Sequence, residues 1–74
     1  MSEPGREVAI SDGMIRLGQF LKLADLVDSG SEARQQIGAG AVRVNGEVEL
    51  RRGRQLRPGD VVSRGGDSAR VTAP

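Results

Sequence analysis

Apolar residues recur at helical spacing in one segment of the first half of the chain. The residues of this stripe are Leu17, Phe20, Leu21, Ala24 and Val27. Residues three and four positions apart share a helix face, so the stripe predicts an amphipathic first helix, with Lys22 pointing away from its apolar face. Leu26 falls on the opposite side, where a continuing helix would expose it. We therefore expect the first helix to end near Asp25 and Leu26 to pack from a loop.

A second, shorter helix is predicted to begin at a capping sequence. Ser29 is followed three residues later by Glu32, which fits a capping box in which the serine caps the helix and the glutamate reaches back. Ala33 and Ile37 then form a short apolar face, and Gly40 is expected to end the helix in the left-handed conformation. A helix of this length is not stable alone, so it must dock on the first helix and on a sheet.

Alternating apolar and polar residues predict a β-hairpin after the second helix. Residues 41–44 alternate, with the two valines inward and Arg43 outward. The Asn45–Gly46 pair that follows is a strong hairpin signal. A strict two-residue loop would place Val48 on the same face as Arg43, away from the core. We therefore expect a bulge or a longer loop at this point.

Short apolar runs bounded by glycine and proline predict the other strands. The expected strands are residues 8–10, 61–63 and 69–72, with turns at Pro58–Gly59 and Gly65–Gly66. The elements together predict an α+β fold, in which two short helices pack on a small, mainly antiparallel sheet. Residues 8–74 are expected to form a single domain and residues 1–7 a flexible tail interrupted by a Pro–Gly pair.

The composition removes several classes of chemistry. The chain has 74 residues and contains neither cysteine nor histidine. The usual zinc and transition-metal ligands and the best proton-transfer group near neutral pH are therefore missing. We expect no metal, no cofactor and no enzymatic activity. No apolar run approaches the roughly 20 residues of a membrane helix, and the N-terminal segment has no signal-peptide core, so we expect a cytoplasmic protein with no membrane partner.

Positive charge is concentrated in the second half of the chain, although the net charge is only +1. Residues 1–33 carry three basic and six acidic side chains, whereas residues 34–74 carry eight arginines and four acidic residues. Residues 51–57 hold four of these arginines with no acid between them. Such a block predicts an anion-binding patch, because its charge is not neutralised locally. The alternative is a solvated loop that keeps a small domain soluble.

The order of several short motifs resembles one known family. The motifs are LGQFLK at 17–22, LVDSGSEAR at 26–34, VRVNGE at 42–47 and PGDV at 58–61. In this order and spacing they resemble the RNA-binding domain named after small-subunit ribosomal protein S-four, also called the alpha-L motif, and especially its small stand-alone bacterial members. The resemblance covers about residues 15–62. It implies two short helices on a small sheet, with RNA lying against the second helix and the neighbouring strand and loop.

The resemblance also implies which side chains face RNA. The candidate RNA-binding residues are Lys22, Ser31, Arg34, Gln35, Arg43, Asn45, Arg51, Arg52 and Arg54. The spacing of Ser31, Arg34 and Gln35 agrees with this assignment, because residues i, i+3 and i+4 share a helix face. Gly30 departs from the family pattern, since many members carry a basic residue there, and one phosphate contact is therefore missing. We expect the second helix and residues 51–57 to form one continuous patch.

The kind of RNA follows from the scarcity of aromatic residues. Phe20 is the only one, and its place in the apolar stripe assigns it to the core. Proteins that bind single strands stack bases on exposed aromatic rings. Structured RNA, recognised by shape through phosphates and 2′-hydroxyls, is therefore the expected ligand. Ribosomal and transfer RNA are the candidates that the resemblance implies.

Two other functional classes remain open. The VNGE and PGDV motifs also resemble β-grasp sulfur carriers, which act through a C-terminal Gly-Gly, but here Gly65–Gly66 is followed by residues 67–74. The third class is a protein-interaction adaptor that binds no nucleic acid. Single candidate residues also have structural alternatives to RNA binding, since Asn45 suits a turn and Arg34 suits a surface ion pair.

We expect the protein to be a monomer.

Overall fold

Two short helices form where the apolar stripes predicted them. Helix α1 spans Leu17–Leu23 and helix α2 spans Gly30–Gly38 in the computed structural model, which describes residues 6–74. Both helices bury the predicted face, and the two pack against each other. Since neither helix exceeds nine residues, their stability depends on this packing and on the structures that end them.

The turn that ends α1 explains the burial of Leu26. The backbone N–H of Leu26 donates to the carbonyl of Leu21 at 2.9 Å, and that of Asp25 donates to Lys22 at 3.1 Å. This pairing closes a helix through one residue in the left-handed conformation, and Asp25 is that residue, with a φ of 61°. The turn directs Leu26 into the core, where it is buried. The prediction that α1 ends near Asp25 and that Leu26 packs from a loop is confirmed.

The predicted capping sequence fixes the start of α2, with one shift. The Ser29 hydroxyl accepts a hydrogen bond from the backbone N–H of Glu32 at 3.1 Å, as expected. The Glu32 carboxylate accepts from the N–H of Asp28 at 2.7 Å, one residue earlier than a standard capping box requires. At the other end of the helix, Gly40 has a φ of 77°, which confirms the predicted terminator.

A five-stranded sheet forms the second layer of residues 6–74, in the order β1-β7-β6-β3-β4. Its strands are β1 (Arg6–Ala9), β3 (Val42–Val44), β4 (Glu47–Val48), β6 (Val61–Arg64) and β7 (Asp67–Thr72). Neighbouring strands run antiparallel except β1 and β7, which are parallel. The structure therefore confirms the predicted α+β fold with a mainly antiparallel sheet.

One apolar cluster fills the space between the helices and this sheet. Its members are Ile10, Leu17, Phe20, Leu21, Ala24, Leu26, Val27, Ala33, Ile37, Val42, Val44, Leu56, Val62, Ala69 and Val71. Every residue of the two predicted helical stripes belongs to it. Because both helices and the inner face of the sheet share this core, the helices are held on one side of the sheet and the other side stays open.

Strand β1 corrects the predicted flexible tail of residues 1–7 at its last two positions. Residues 1–5, with their Pro–Gly pair, lie outside the described residues, but Arg6 and Glu7 are paired with strand β7. The Arg6 guanidinium also donates a hydrogen bond to the carbonyl of Ala24 at the end of α1. This order comes from long-range backbone pairing, which a polar local sequence does not reveal.

A two-stranded sheet ties the arginine-rich loop to the start of α1. Its strands are β2 (Ile15–Arg16) and β5 (Gln55–Leu56), which run antiparallel. Beyond it, the backbone N–H of Leu17 donates to the carbonyl of Arg54 at 2.8 Å, and that of Gly18 donates to Arg52 at 3.1 Å. Strands of two residues are too short to show periodicity, so the sequence pattern did not predict this contact.

The β3–β4 hairpin corrects the predicted bulge. Asn45 and Gly46 form a two-residue turn with φ values of 53° and 87°, as a type I′ turn requires. The register pairs Arg43 with Val48, so Val48 lies on the outer face and is 47% exposed. The predicted bulge assumed a buried valine at this position, which the exposure of Val48 contradicts. The residue that turns inward is Glu49, which is 6% exposed.

The side chain of Asn45 joins this hairpin to strand β6. Its Nδ2 donates to Oδ1 of Asp60 at 3.1 Å, and its Oδ1 accepts from the backbone N–H of Val61 at 2.9 Å. The backbone N–H of Asn45 donates to the carbonyl of Val61 at 2.7 Å. Asn45 therefore supports the fold with its left-handed backbone and with both polar atoms of its amide.

The Gly65–Gly66 pair lies in the turn between β6 and β7. Strand β7 then continues for six residues and is hydrogen-bonded to β1 on one side and to β6 on the other. A sulfur carrier needs its Gly-Gly pair at a free chain end, so this arrangement argues against the carrier alternative.

We predict that Asn45→Ala lowers the free energy of unfolding by about 1–3 kcal/mol, because it removes the two hydrogen bonds of the amide, each worth about 0.5–1.5 kcal/mol. Urea denaturation followed by circular dichroism measures this change. Glu47→Gln is the control, since Glu47 is exposed at the start of β4 and its replacement should change stability by no more than about 0.5 kcal/mol. Equal effects of the two substitutions would contradict the structural role of Asn45.

Candidate nucleic-acid interface

A cleft of about 700 Å³ opens between the two helices and the loop that joins β4 to β5. The residues that line it are Arg16, Gly18, Gln19, Lys22, Gly30, Ser31, Ala33, Arg34, Gln35, Arg52 and Gly53. They come from the end of β2, from α1, from the first half of α2 and from the loop. The cleft thus depends on the β2–β5 pairing, which brings the loop beside the helices.

The lining of the cleft is strongly basic. It contains Arg16, Lys22, Arg34 and Arg52, and no acidic side chain is among the described residues that line it. Like charges on a concave surface reinforce one another and attract anions. A serine and two glutamines add neutral groups that can hydrogen-bond to phosphate or ribose oxygens. The cleft therefore combines charge, depth and hydrogen-bonding capacity suited to a polyanion.

Five of the nine predicted site residues line this cleft: Lys22, Ser31, Arg34, Gln35 and Arg52. The three from α2 are exposed and share one face, as their spacing predicted. Arg34 and Arg52 lie in the same cleft, which agrees with the expectation of one continuous patch. The connection between them runs through α1 and the β2–β5 pairing, and no residue of the strand β3 lines the cleft.

The other four predicted residues do not line the cleft: Arg43, Asn45, Arg51 and Arg54. Arg43 projects from the outer face of β3 and donates to the carbonyl of Gly46 at 3.2 Å. The amide of Asn45 is engaged within the protein, as described above. Arg51 and Arg54 are paired with Glu49, so the charge of the loop is partly neutralised by an acid just before it, contrary to the expectation from the sequence.

Arg16 and Gln19 line the cleft but were missed by sequence reasoning. Together with Lys22 they recur at intervals of three residues, which places them along one side of the α1 segment. That spacing was a usable signal. It did not single them out, because polar residues are expected on the outer face of any amphipathic helix.

Gly18 allows the loop to lie close to α1. A Cβ atom at position 18 would be 2.8 Å from Cγ of Arg52, which is closer than two nonbonded carbon atoms approach in a packed protein. The stem of Arg52 therefore crosses the helix at its glycine. Since Arg52 is exposed and lines the cleft, this contact sets where its charge is presented.

Glu49 holds the loop with a buried carboxylate that accepts four hydrogen bonds. Its Oε2 accepts from the backbone N–H of Arg51 at 2.9 Å and from Nε of Arg51 at 3.0 Å. Its Oε1 accepts from Nη2 of Arg51 at 3.3 Å and from Nη1 of Arg54 at 2.9 Å. Two hydrogen bonds from one guanidinium to both carboxylate oxygens form a strong, directional pair.

These bonds shift the ionisation of Glu49. The hydrogen bonds from the Arg51 side chain, followed by those from the Arg54 side chain and the Arg51 backbone, lower the pKa of Glu49 from 4.5 to about 2. The same carboxylate raises the pKa of the Arg51 guanidinium. Glu49 is therefore ionised throughout the physiological range, and its charge is part of the fold.

The fold and the cleft define a small α+β domain with a basic binding groove. The chain belongs to the S4 domain family, whose profile matches residues 8–72. This confirms the family that the motif order indicated. No helix within residues 6–74 is long and apolar enough to span a bilayer. The same residues contain no cluster of three or more histidine, cysteine, aspartate or glutamate side chains that could hold a metal ion.

Two relatives of this chain bear names that refer to the ribosome. It is 51% identical over 55 residues to the probable ribosome maturation protein RlbA of Bacillus subtilis (strain 168), a match that covers 74% of this chain and 78% of that protein. Its fold is also similar to the crystal structure of 30S ribosomal protein S4e from Thermoplasma acidophilum, with a TM-score of 0.62 and 25% identity. That match covers 81% of this chain but only 32% of the ribosomal protein, so the chain spans about a third of its length.

We predict that Glu49→Gln lowers the free energy of unfolding by about 1–3 kcal/mol near neutral pH, because charged hydrogen bonds become neutral ones. A lowered pKa contributes stability above the ordinary pKa of the group, and this contribution is lost as the pH falls through the folded-state value. The stability difference between the wild type and Glu49→Gln should therefore shrink as the pH falls from about 5 towards 2. Urea denaturation at several pH values measures it. A constant difference across this range would contradict the ionised state of Glu49.

Proposed function

We propose that this protein is a non-catalytic RNA-binding module that holds the phosphate backbone of structured RNA in the cleft between α1, α2 and the β4–β5 loop. The observation that carries the proposal is the convergence of Arg16, Lys22, Arg34 and Arg52 on one concave surface whose described lining contains no acid. Arginine suits this task because its planar guanidinium matches phosphate oxygens in a bidentate geometry. Membership of the S4 domain family supports the same reading.

The mode of binding follows from the side chains available. Phe20 is the only aromatic residue of the chain and is fully buried, so the surface offers no ring on which an unpaired base can stack. Contacts to phosphates and 2′-hydroxyls report the shape of an RNA helix more than its sequence. We therefore propose folded RNA, and not an extended single strand, as the ligand.

Ribosomal RNA is the first candidate ligand and transfer RNA the second. The support is that one relative is named as a probable ribosome maturation protein and another as a ribosomal protein. A role with either RNA places the protein in the cytoplasm, where it is proposed to act as a monomer without metal or cofactor. The competing function is an adaptor that binds only proteins. RNA titrations distinguish the two functions, because such an adaptor would bind no RNA.

We predict that Arg16→Gln, Arg34→Gln and Arg52→Gln each weaken binding to ribosomal RNA by about tenfold, because each removes a charged hydrogen bond worth roughly 1.5 kcal/mol or more. Fluorescence anisotropy with a labelled ribosomal RNA hairpin measures the Kd, with transfer RNA and polyuridine as comparisons. Thermal midpoints should change little, since all three arginines are exposed.

Arg70→Gln is the control for this series, because it removes the same charge from an exposed position of β7 away from the cleft. It should change the Kd by less than about twofold. If Arg70→Gln weakened binding as much as Arg34→Gln, the attraction would be diffuse and the cleft would not be the site. If the wild type bound none of the three RNAs, the adaptor function would replace the RNA-binding one.

We predict that the affinity for RNA falls by about two decades between roughly 50 and 200 mM salt, because about four phosphates are neutralised in the cleft and their counterions are released. The same anisotropy titration, repeated at several concentrations of potassium chloride, gives the slope. Arg34→Gln should reduce the slope by about one unit and Arg70→Gln by much less. A flat dependence in the wild type would contradict a phosphate-dominated interface.

A further inference from the structure

An acidic residue lies at the base of the loop that completes the cleft. Glu49 is buried and lies two residues before Arg51, the first residue of the arginine-rich segment. A negative charge close to a polyanion site should oppose binding if it acted only through Coulomb repulsion. Its four hydrogen bonds, all from Arg51 and Arg54, suggest a different contribution.

The three arginines of this loop are not equivalent. Arg51 and Arg54 are tied to Glu49 on either side of Arg52 and Gly53. Within residues 6–74 the guanidinium of Arg52 has no hydrogen bond or ion pair, and it is the arginine of the three that lines the main cleft. The two flanking arginines are therefore committed to the fold, while the middle one is left available to a ligand.

The loop is fixed from both sides. On one side, Glu49 binds the backbone N–H of Arg51 and the side chain of Arg54. On the other side, the carbonyl of Arg52 accepts from the N–H of Gly18. The stem of Arg52 also lies against the helix at Gly18, where a Cβ atom would collide with it. The backbone of residue 52 is thus held between an ion-pair cluster and the first turn of α1.

We propose that Glu49 is a positioning residue for RNA binding, which through its ion pairs with Arg51 and Arg54 holds the loop in the shape that presents Arg52 to the cleft. This inference rests on the proposed RNA-binding function of the cleft. Ordering the loop before RNA arrives removes part of the entropy loss that binding otherwise incurs. The gain outweighs the repulsion from the carboxylate, because that charge is already neutralised by two guanidinium groups.

The two accounts of Glu49 predict opposite changes in affinity. Glu49→Gln keeps the size of the side chain and removes its charge, so repulsion alone predicts tighter RNA binding. The positioning role predicts binding that is weaker by about three- to tenfold. Glu47→Gln is the matched control, because it makes the same charge change at an exposed position two residues away. It should leave the Kd unchanged or slightly lower.

A double-mutant cycle separates positioning from a general loss of stability. The ribosomal RNA hairpin is titrated at a temperature and pH at which every variant is folded, as checked by circular dichroism. If Glu49 acts through Arg52, Glu49→Gln should weaken binding far less in an Arg52→Gln background than in the wild type. In an Arg34→Gln background its effect should remain undiminished, because Arg34 belongs to α2.

Gly18→Ala tests the same placement without touching the ion pairs. Alanine is a better helix former than glycine, which counteracts the steric strain, so the domain should stay folded. The added Cβ should displace the stem of Arg52 and weaken RNA binding by about three- to tenfold, again with little further effect in an Arg52→Gln background.

The outcomes distinguish this inference from the function on which it rests. If Arg34→Gln weakens binding but Glu49→Gln binds as tightly as Glu47→Gln, the positioning role is overturned and the RNA site stands. Equal effects of Glu49→Gln in the wild-type and Arg52→Gln backgrounds overturn it too, as does an unchanged Kd for Gly18→Ala. If Arg34→Gln and Arg16→Gln leave the Kd unchanged, the RNA site in the cleft fails and this inference fails with it.

Discussion

The ion-pair cluster around Glu49 is the constraint on which the candidate site depends. A buried carboxylate is tolerated only when it is paired and hydrogen-bonded, and Glu49 meets this condition with four hydrogen bonds. Its partners stay at the surface, since the side chains of Arg51 and Arg54 are 75% and 33% exposed. The cluster thus keeps a net positive charge while its geometry is fixed. Without Glu49 the loop would carry more positive charge but would lose the four hydrogen bonds that hold Arg51 and Arg54.

Much of the arginine content of this chain serves the fold and not the cleft. Arg6 donates a hydrogen bond to the carbonyl of Ala24 at the end of α1, where a cation also complements the helix dipole. Arg64 donates one to the carbonyl of Leu26 in the loop that follows α1. The two arginines bound to Glu49 shape the loop. The number of arginines in a basic block therefore overestimates the number of phosphate contacts. In a small domain with few buried residues, the long stem and the hydrogen-bond donors of arginine also stabilise the fold.

Local patterns predicted the fold well, whereas the site depended on contacts that leave no local pattern. The helical stripe through Phe20, the serine cap at Ser29 and the Asn45–Gly46 turn each correspond to a structure made by neighbouring residues. The error at Arg6 arose because a distant strand, β7, decides the outcome, whereas the error at Val48 arose from the assumption that a strand valine is buried. Arg16 was missed although its spacing from Gln19 and Lys22 was a usable signal, because only the short β2–β5 pairing brings the end of β2 beside the loop. The family resemblance predicted RNA contacts by residues on α2, and the structure places these residues in the lining of the cleft.

The glycine at position 30 illustrates how the cleft differs from the pattern its motifs suggest. Gly30 lines the cleft, and a Cβ atom there would meet no atom within 4 Å, so no packing constraint excludes a larger side chain. Gly30 is the first residue of α2, where the helix dipole disfavours a cation and favours an anionic ligand. Without a side chain at this point, the backbone at the start of α2 is open to the cleft. Positive charge reaches the cleft from Arg34 on the same helix and from Arg16 and Arg52 on the opposite wall, so the missing basic residue at position 30 does not leave the cleft uncharged.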